Sequence, residues 1–230
     1  MLVTKPYNRE NAVAYARRYA FGQNPVFGNF RGIGGNCTNF VSQCVYAGSC
    51  RMNYTPVLGW YYISMQERTA SWTGVRYFYN FMTTNTGVGP FGREAMADEV
   101  EIGDVIQLAR EGEGYYHTLL IVGFAEDDPL VAAQTDDAFE RPLSSYNYDY
   151  LRYIKIQGVR FLTPAADDCF ESVYEGIAII PEGDMAQGGQ SSPPKEDGIE
   201  PPASDMPNGM PPATPEGEGG GEPPPPPTEA

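Results

Sequence analysis

The chain has 230 residues and a mass of 25.2 kDa, room for one sizeable domain and an appendage. Four cysteines and one histidine exclude most zinc arrangements and any dense disulfide scaffold. The net charge of −15 offers no basic surface for a nucleic-acid backbone or an anionic membrane.

In chain order, the first thirty residues lack the continuous apolar stretch of a signal peptide, and no apolar run approaches the roughly twenty residues of a membrane span. The expectation is a soluble protein of the cytoplasm, with release or cell-surface action left open. In that compartment the cysteines read as free thiols, with a link between Cys50 and Cys169 left open.

Arg9 to Phe21 carries apolar residues at helical spacing, and so does Asn36 to Ala47, where Phe40, Cys44 and Ala47 share a face. Gly34-Gly35-Asn36 is an entry to that second helix, with Asn36 as its cap. A third helix is expected over Ser71 to Met82, capped by Ser71. After Gly103 the pattern changes to strands over 104–108, 116–124, 130–134 and 151–162, with another over 170–180. Helices followed by strands predict an α+β domain with helices packed on an antiparallel sheet.

Residues 181–230 contain 14 of the 21 prolines, 9 of the 26 glycines and no aromatic residue. They hold 10 acidic side chains against Lys195 alone. That composition cannot bury a core, so residues 1–180 are expected to form the domain and residues 181–230 a disordered acidic tail.

Cys37 and His117 carry the chemistry. Cys37 falls in the first turn of its helix, where unpaired N–H groups and the positive end of the helix dipole favour a thiolate. His117, the single histidine, opens the apolar strand Tyr116-His117-Thr118-Leu119-Leu120-Ile121. A helix-borne cysteine followed by a strand-borne histidine fits a papain-like dyad, although each residue alone is more often structural. Trp60, Trp72 and Tyr116 offer stacking surface for a substrate groove, with core packing as the alternative. No metal or cofactor is expected.

The strings Gly34-Gly35-Asn36-Cys37-Thr38-Asn39-Phe40-Val41-Ser42-Gln43-Cys44, Gly59-Trp60-Tyr61-Tyr62 and Ser71-Trp72-Thr73-Gly74-Val75 resemble the bacterial "putative amidase domain" family, a branch of the papain-like NlpC and CHAP cell-wall hydrolases. The similarity continues through Gly103-Asp104-Val105-Ile106-Gln107, Tyr116-His117-Thr118 and Pro142-Leu143-Ser144-Ser145-Tyr146, over roughly residues 7 to 160. The resemblance implies a papain-like fold, Cys37 as nucleophile, His117 as general base and a peptide or cell-wall amide as substrate. Gly35 would lie in the groove beside the sulfur. The family's third, orienting histidine is replaced here by Gln134, whose oxygen can accept the imidazole N–H; Asp136 or Asp137 could supply the missing charge, and Asn36 stands where the family has Asp. The rival expectation is a weakened or inactive domain that binds cell-wall or spore-surface material.

Overall fold

The computed structural model describes residues 2–162 and 169–179. The tail expected over 181–230 lies outside the described residues. A short strand, β1 (Val3–Lys5), precedes α1 (Arg9–Tyr19) and α2 (Cys37–Ser49). Then follow α3 (Ala70–Thr73), α4 (Val75–Thr84), β2 (Gly89–Ala95), β3 (Val105–Arg110), β4 (Gly114–Ala125), β5 (Asp128–Ala133), β6 (Ala138–Pro142), β7 (Tyr150–Phe161) and α5 (Phe170–Tyr174).

The strands form one antiparallel sheet in the order β1-β7-β3-β4-β5-β6, with β2 also paired to β7. Alternation along its central strands feeds two cores. Val105, Leu120, Val122, Ala132, Ile154 and Ile156 face the helices. Ile106, Leu108, Leu119, Ile121, Val131 and Ala133 form a second cluster with Leu143 on the opposite side. The run Leu119 to Val122 is apolar throughout because both of its faces are covered.

Helix α2 is buried along its whole length, which its apolar and small-residue sequence permits. Gly48 is needed there: a Cβ would come within 2.4 Å of the Tyr7 ring and 2.5 Å of the Asn8 carbonyl. Arg9 fastens α1 to the sheet, donating to the fully buried Asp104 at 2.6 Å and to the carbonyls of Ile102 and Ile156. Asp104 also accepts from the backbone N–H groups of Glu101 and Ile156.

Several expectations change. The helix expected over Ser71 to Met82 is two helices broken at Gly74; Thr69, not Ser71, precedes the first, and the Ser71 hydroxyl donates to the Gly59 carbonyl. The strand expected over 170–180 is α5 at its start, tied to α1 by Tyr19 donating to the Tyr174 carbonyl. Strands β1, β2 and β6 are additional. Cys50 and Cys169 are joined in a disulfide, with Cα atoms 5.2 Å apart, so the free-thiol expectation holds only for Cys37 and Cys44. Among the described residues, no helix is long and apolar enough to cross a membrane.

Candidate active site

The Phe30-to-Asn36 loop turns through three glycines at positive φ, Gly32, Gly34 and Gly35, and delivers Cys37 as the first residue of α2. Gly35 itself is half-buried against Thr135, whose hydroxyl would be 3.5 Å from an added Cβ. Asn36 precedes the helix without capping it. Its Oδ1 accepts from the Phe30 backbone N–H at 3.0 Å and from Asn39 Nδ2 at 2.9 Å, and its Nδ2 donates to Gln134 Oε1. The expected cap is therefore a cross-brace between loops, and the first turn of α2 has no side-chain cap.

A second loop completes the brace. Thr135, at φ +91°, accepts from the Asn36 backbone N–H at 2.6 Å. A β-branched residue in that conformation is strained, and the bond to Asn36 is what it secures. Asp137 forms an ion pair with Arg31, and Asp136 with Arg141 at 2.6 Å.

His117 projects from β4. Opposite β3 it pairs with Leu108 while Tyr115 pairs with Ala109, leaving Tyr116 in a bulge. The imidazole neighbours two tyrosine rings, stacked on Tyr116 at 6.1 Å and tilted against Tyr146 at 6.0 Å. Burial lowers its pKa to about 4; the Asp136 carboxylate opposes that shift and the Arg141 guanidinium adds to it. The resting imidazole is neutral at pH 7.

Cys37 and His117 are each 7% exposed, mostly covered with an edge reaching solvent. They are linked through their neighbours. Thr38 Oγ1 is 3.9 Å from the Cys37 sulfur and 2.9 Å from Thr118 Oγ1. Among the described residues no hydrogen bond joins the thiol to the imidazole. Cys44, two turns along, is fully buried, and burial pushes its thiol well above the usual range.

Three expected site residues lie elsewhere. Gln134 donates to the carbonyls of Tyr19 at 2.6 Å and Gly22 at 2.7 Å while its oxygen accepts from Asn36. It ties the end of α1 to the Cys37 loop and makes no bond to His117. Trp60 and Trp72 are completely buried, 4.7 Å apart, with ring N–H groups donating to Ser42 and Asn39. They are core and cannot wall a groove. Tyr116 remains at the site, half-buried, its hydroxyl donating to the Asn147 carbonyl at 2.9 Å. Thr38, Thr118 and Tyr146 stand in the strings that carry the resemblance, but sequence reading gave a role to none of them, nor to Arg141.

A family profile described as "Putative amidase domain" matches residues 6–157. A Bacillus subtilis (strain 168) protein described as "Uncharacterized protein YhbB" is 34% identical over 135 residues, which is 57% of this chain and 42% of that protein. The chain thus spans less than half the length of that relative. No solved structure matches.

Proposed function

The chain belongs to the putative amidase domain family, and from that premise we propose that it is a papain-like cysteine hydrolase of the NlpC and CHAP kind, cleaving an amide bond through a thioester on Cys37. Family membership supports amide hydrolysis in general. The cysteine chemistry rests chiefly on one observation: Cys37 opens α2, and the residue after it is hydrogen-bonded to the residue after His117.

In this reading His117 takes the thiol proton as the sulfur attacks the carbonyl carbon, and the C=O electron pair moves onto oxygen. The uncapped first turn of α2, including the Cys37 N–H, faces that charge. Collapse breaks the C–N bond, and the imidazolium hands its proton to the departing amine. Water, deprotonated by the same imidazole, then attacks the thioester and releases the acid. A neutral imidazole at rest suits this order, because the thiol transfers its proton only as substrate is attacked.

The substrate class follows the resemblance: a stem-peptide amide of peptidoglycan or a related cell-wall amide. The disulfide supports work outside the reducing cytoplasm. Digestion of purified peptidoglycan, followed by mass spectrometry, tests the reading. New amino groups and matching mass changes are expected from the wild type and none from Cys37→Ala. Intact peptidoglycan that nonetheless binds the protein would favour the binding-only alternative, which is in keeping with the lack, among the described residues, of a hydrogen bond between the thiol and the imidazole.

A further inference from the structure

The amidase reading leaves one position open. A histidine acting as base toward sulfur must present an unprotonated nitrogen to it, so its other nitrogen carries the hydrogen and needs an acceptor to hold that tautomer. Gln134 does not fill the position, because its amide is taken up by Asn36, Tyr19 and Gly22. Asp136 is largely exposed and held by Arg141. Tyr116 stacks on the imidazole, but its hydroxyl is committed to Asn147.

Tyr146 differs from all three. Its ring centre is 6.0 Å from that of His117. Its hydroxyl is buried and, among the described residues, has no hydrogen-bond partner. Such an oxygen ordinarily costs stability and calls for an explanation. Arg141 stacks on the ring at 3.9 Å while donating to Asp136, to the Ser145 hydroxyl and to the Ser145 carbonyl. Arg141 fixes the ring, and its charge lies close enough to the hydroxyl to work against the effect of burial, but it forms no hydrogen bond of ordinary geometry with that oxygen. A bond from a His117 nitrogen to the phenol oxygen requires the two rings, 6.0 Å apart at their centres, to reorient toward each other. Burial also keeps the phenol protonated by raising its pKa.

We propose that Tyr146 is the positioning residue of the site, its hydroxyl oxygen accepting the His117 N–H remote from Cys37 and fixing the tautomer that leaves the other nitrogen free to act as base. This rests on the amidase reading for its purpose, though not for its test. Tyr146, carried on a short helical turn held by Asp128 through Ser144, takes the place expected of Gln134.

The single histidine makes the test direct. Nitrogen-15 NMR of the uniformly labelled full chain at pH 7 reports the two neutral tautomers of His117 with no ambiguity of assignment. One tautomer is expected to dominate in the wild type, and in Tyr146→Phe the ratio is expected to fall at least threefold. Tyr116→Phe, whose lost hydroxyl served Asn147, should leave the ratio unchanged. A smaller fall in Tyr146→Phe, or no preferred tautomer in the wild type, overturns the proposal. Cys37→Ala supplies the separate control: full activity in that variant defeats the amidase reading and leaves the tautomer result to stand or fall by itself.

Discussion

Thr38 Oγ1 and Thr118 Oγ1 meet at 2.9 Å in a completely buried pair, one residue beyond Cys37 and one residue beyond His117. The bond pins the first turn of α2 to β4. It continues outward, since Gln107 Nε2 donates to Thr118 at 3.3 Å and to the Val75 carbonyl, and Gln107 Oε1 accepts from Arg152. Arg152 lies between the rings of Tyr79 and Tyr115, at 3.4 and 3.8 Å. Thr118→Val keeps the side-chain shape and leaves buried groups on Thr38 and Gln107 short of a partner. The expected loss is about 1–3 kcal/mol by urea denaturation, with a fall in kcat on any amide substrate.

Gln134→Ala separates the two readings of that residue. The side chain satisfies two carbonyls and one amide in a nearly water-free setting, so its loss should cost on the order of 2–3 kcal/mol and loosen the Cys37 loop. A melting temperature equal to that of the parent, with turnover abolished, would return Gln134 to a catalytic role.

The disulfide closes a separation of 119 residues and joins the residue after α2 to the one before α5. Breaking it should cost about 2–5 kcal/mol. Thiol titration of the unfolded protein should count two thiols without reductant and four with it. Thermal melts in the two states then give the destabilisation, and Cys169→Ala should match the reduced protein. Four thiols without reductant would contradict the pairing.

His117 makes stability depend on pH. Its folded pKa of about 4 lies below the ordinary 6.5 because burial disfavours the charged form. Above pH 6.5 both folded and unfolded imidazoles are neutral and the group contributes no slope. Between 6.5 and 4 the unfolded chain binds a proton that the folded chain does not, so stability falls as the pH drops and levels off below 4. The integrated loss is on the order of 3 kcal/mol. Urea melts of wild type and His117→Gln at pH 7 and 4.5 isolate this contribution from the carboxylates that titrate alongside. Asp136→Asn should enlarge it, since that carboxylate holds the pKa up, and Arg141→Gln should reduce it. An equal loss in wild type and His117→Gln would refute the assignment.

Much of this architecture was legible in the sequence. The periodicity of α1 and α2 and the apolar runs of β3, β4, β5 and β7 announce themselves, because each buries one or both faces. Strands β1, β2 and β6 did not: β1 and β6 are short, and β2 opens on Gly89-Pro90 and contains Gly92. The sequence over 170–180 alternates well enough for a strand, yet the disulfide at Cys169 and the Tyr19 bond hold its beginning as a helical turn. Cys37 and His117 stood out because a helix entry and a strand opening are visible in one dimension. The partners of Gln134 are not, since they lie about a hundred positions away, and neither is the open hydroxyl of Tyr146, which depends on how its loop packs beside β4. Trp60 and Trp72 show the same limit from the other side, for nothing in their local sequence tells a groove wall from a core.

The central claim is that Cys37 carries the acyl group. Brief reaction with an activated amide or ester, acid quenching and peptide mass spectrometry should find the acyl mass on the peptide containing Cys37. The adduct should disappear in Cys37→Ser handled identically, and hydroxylamine should remove it. Undiminished hydrolysis by Cys37→Ser, with no adduct on Cys37 of the parent, would contradict the account.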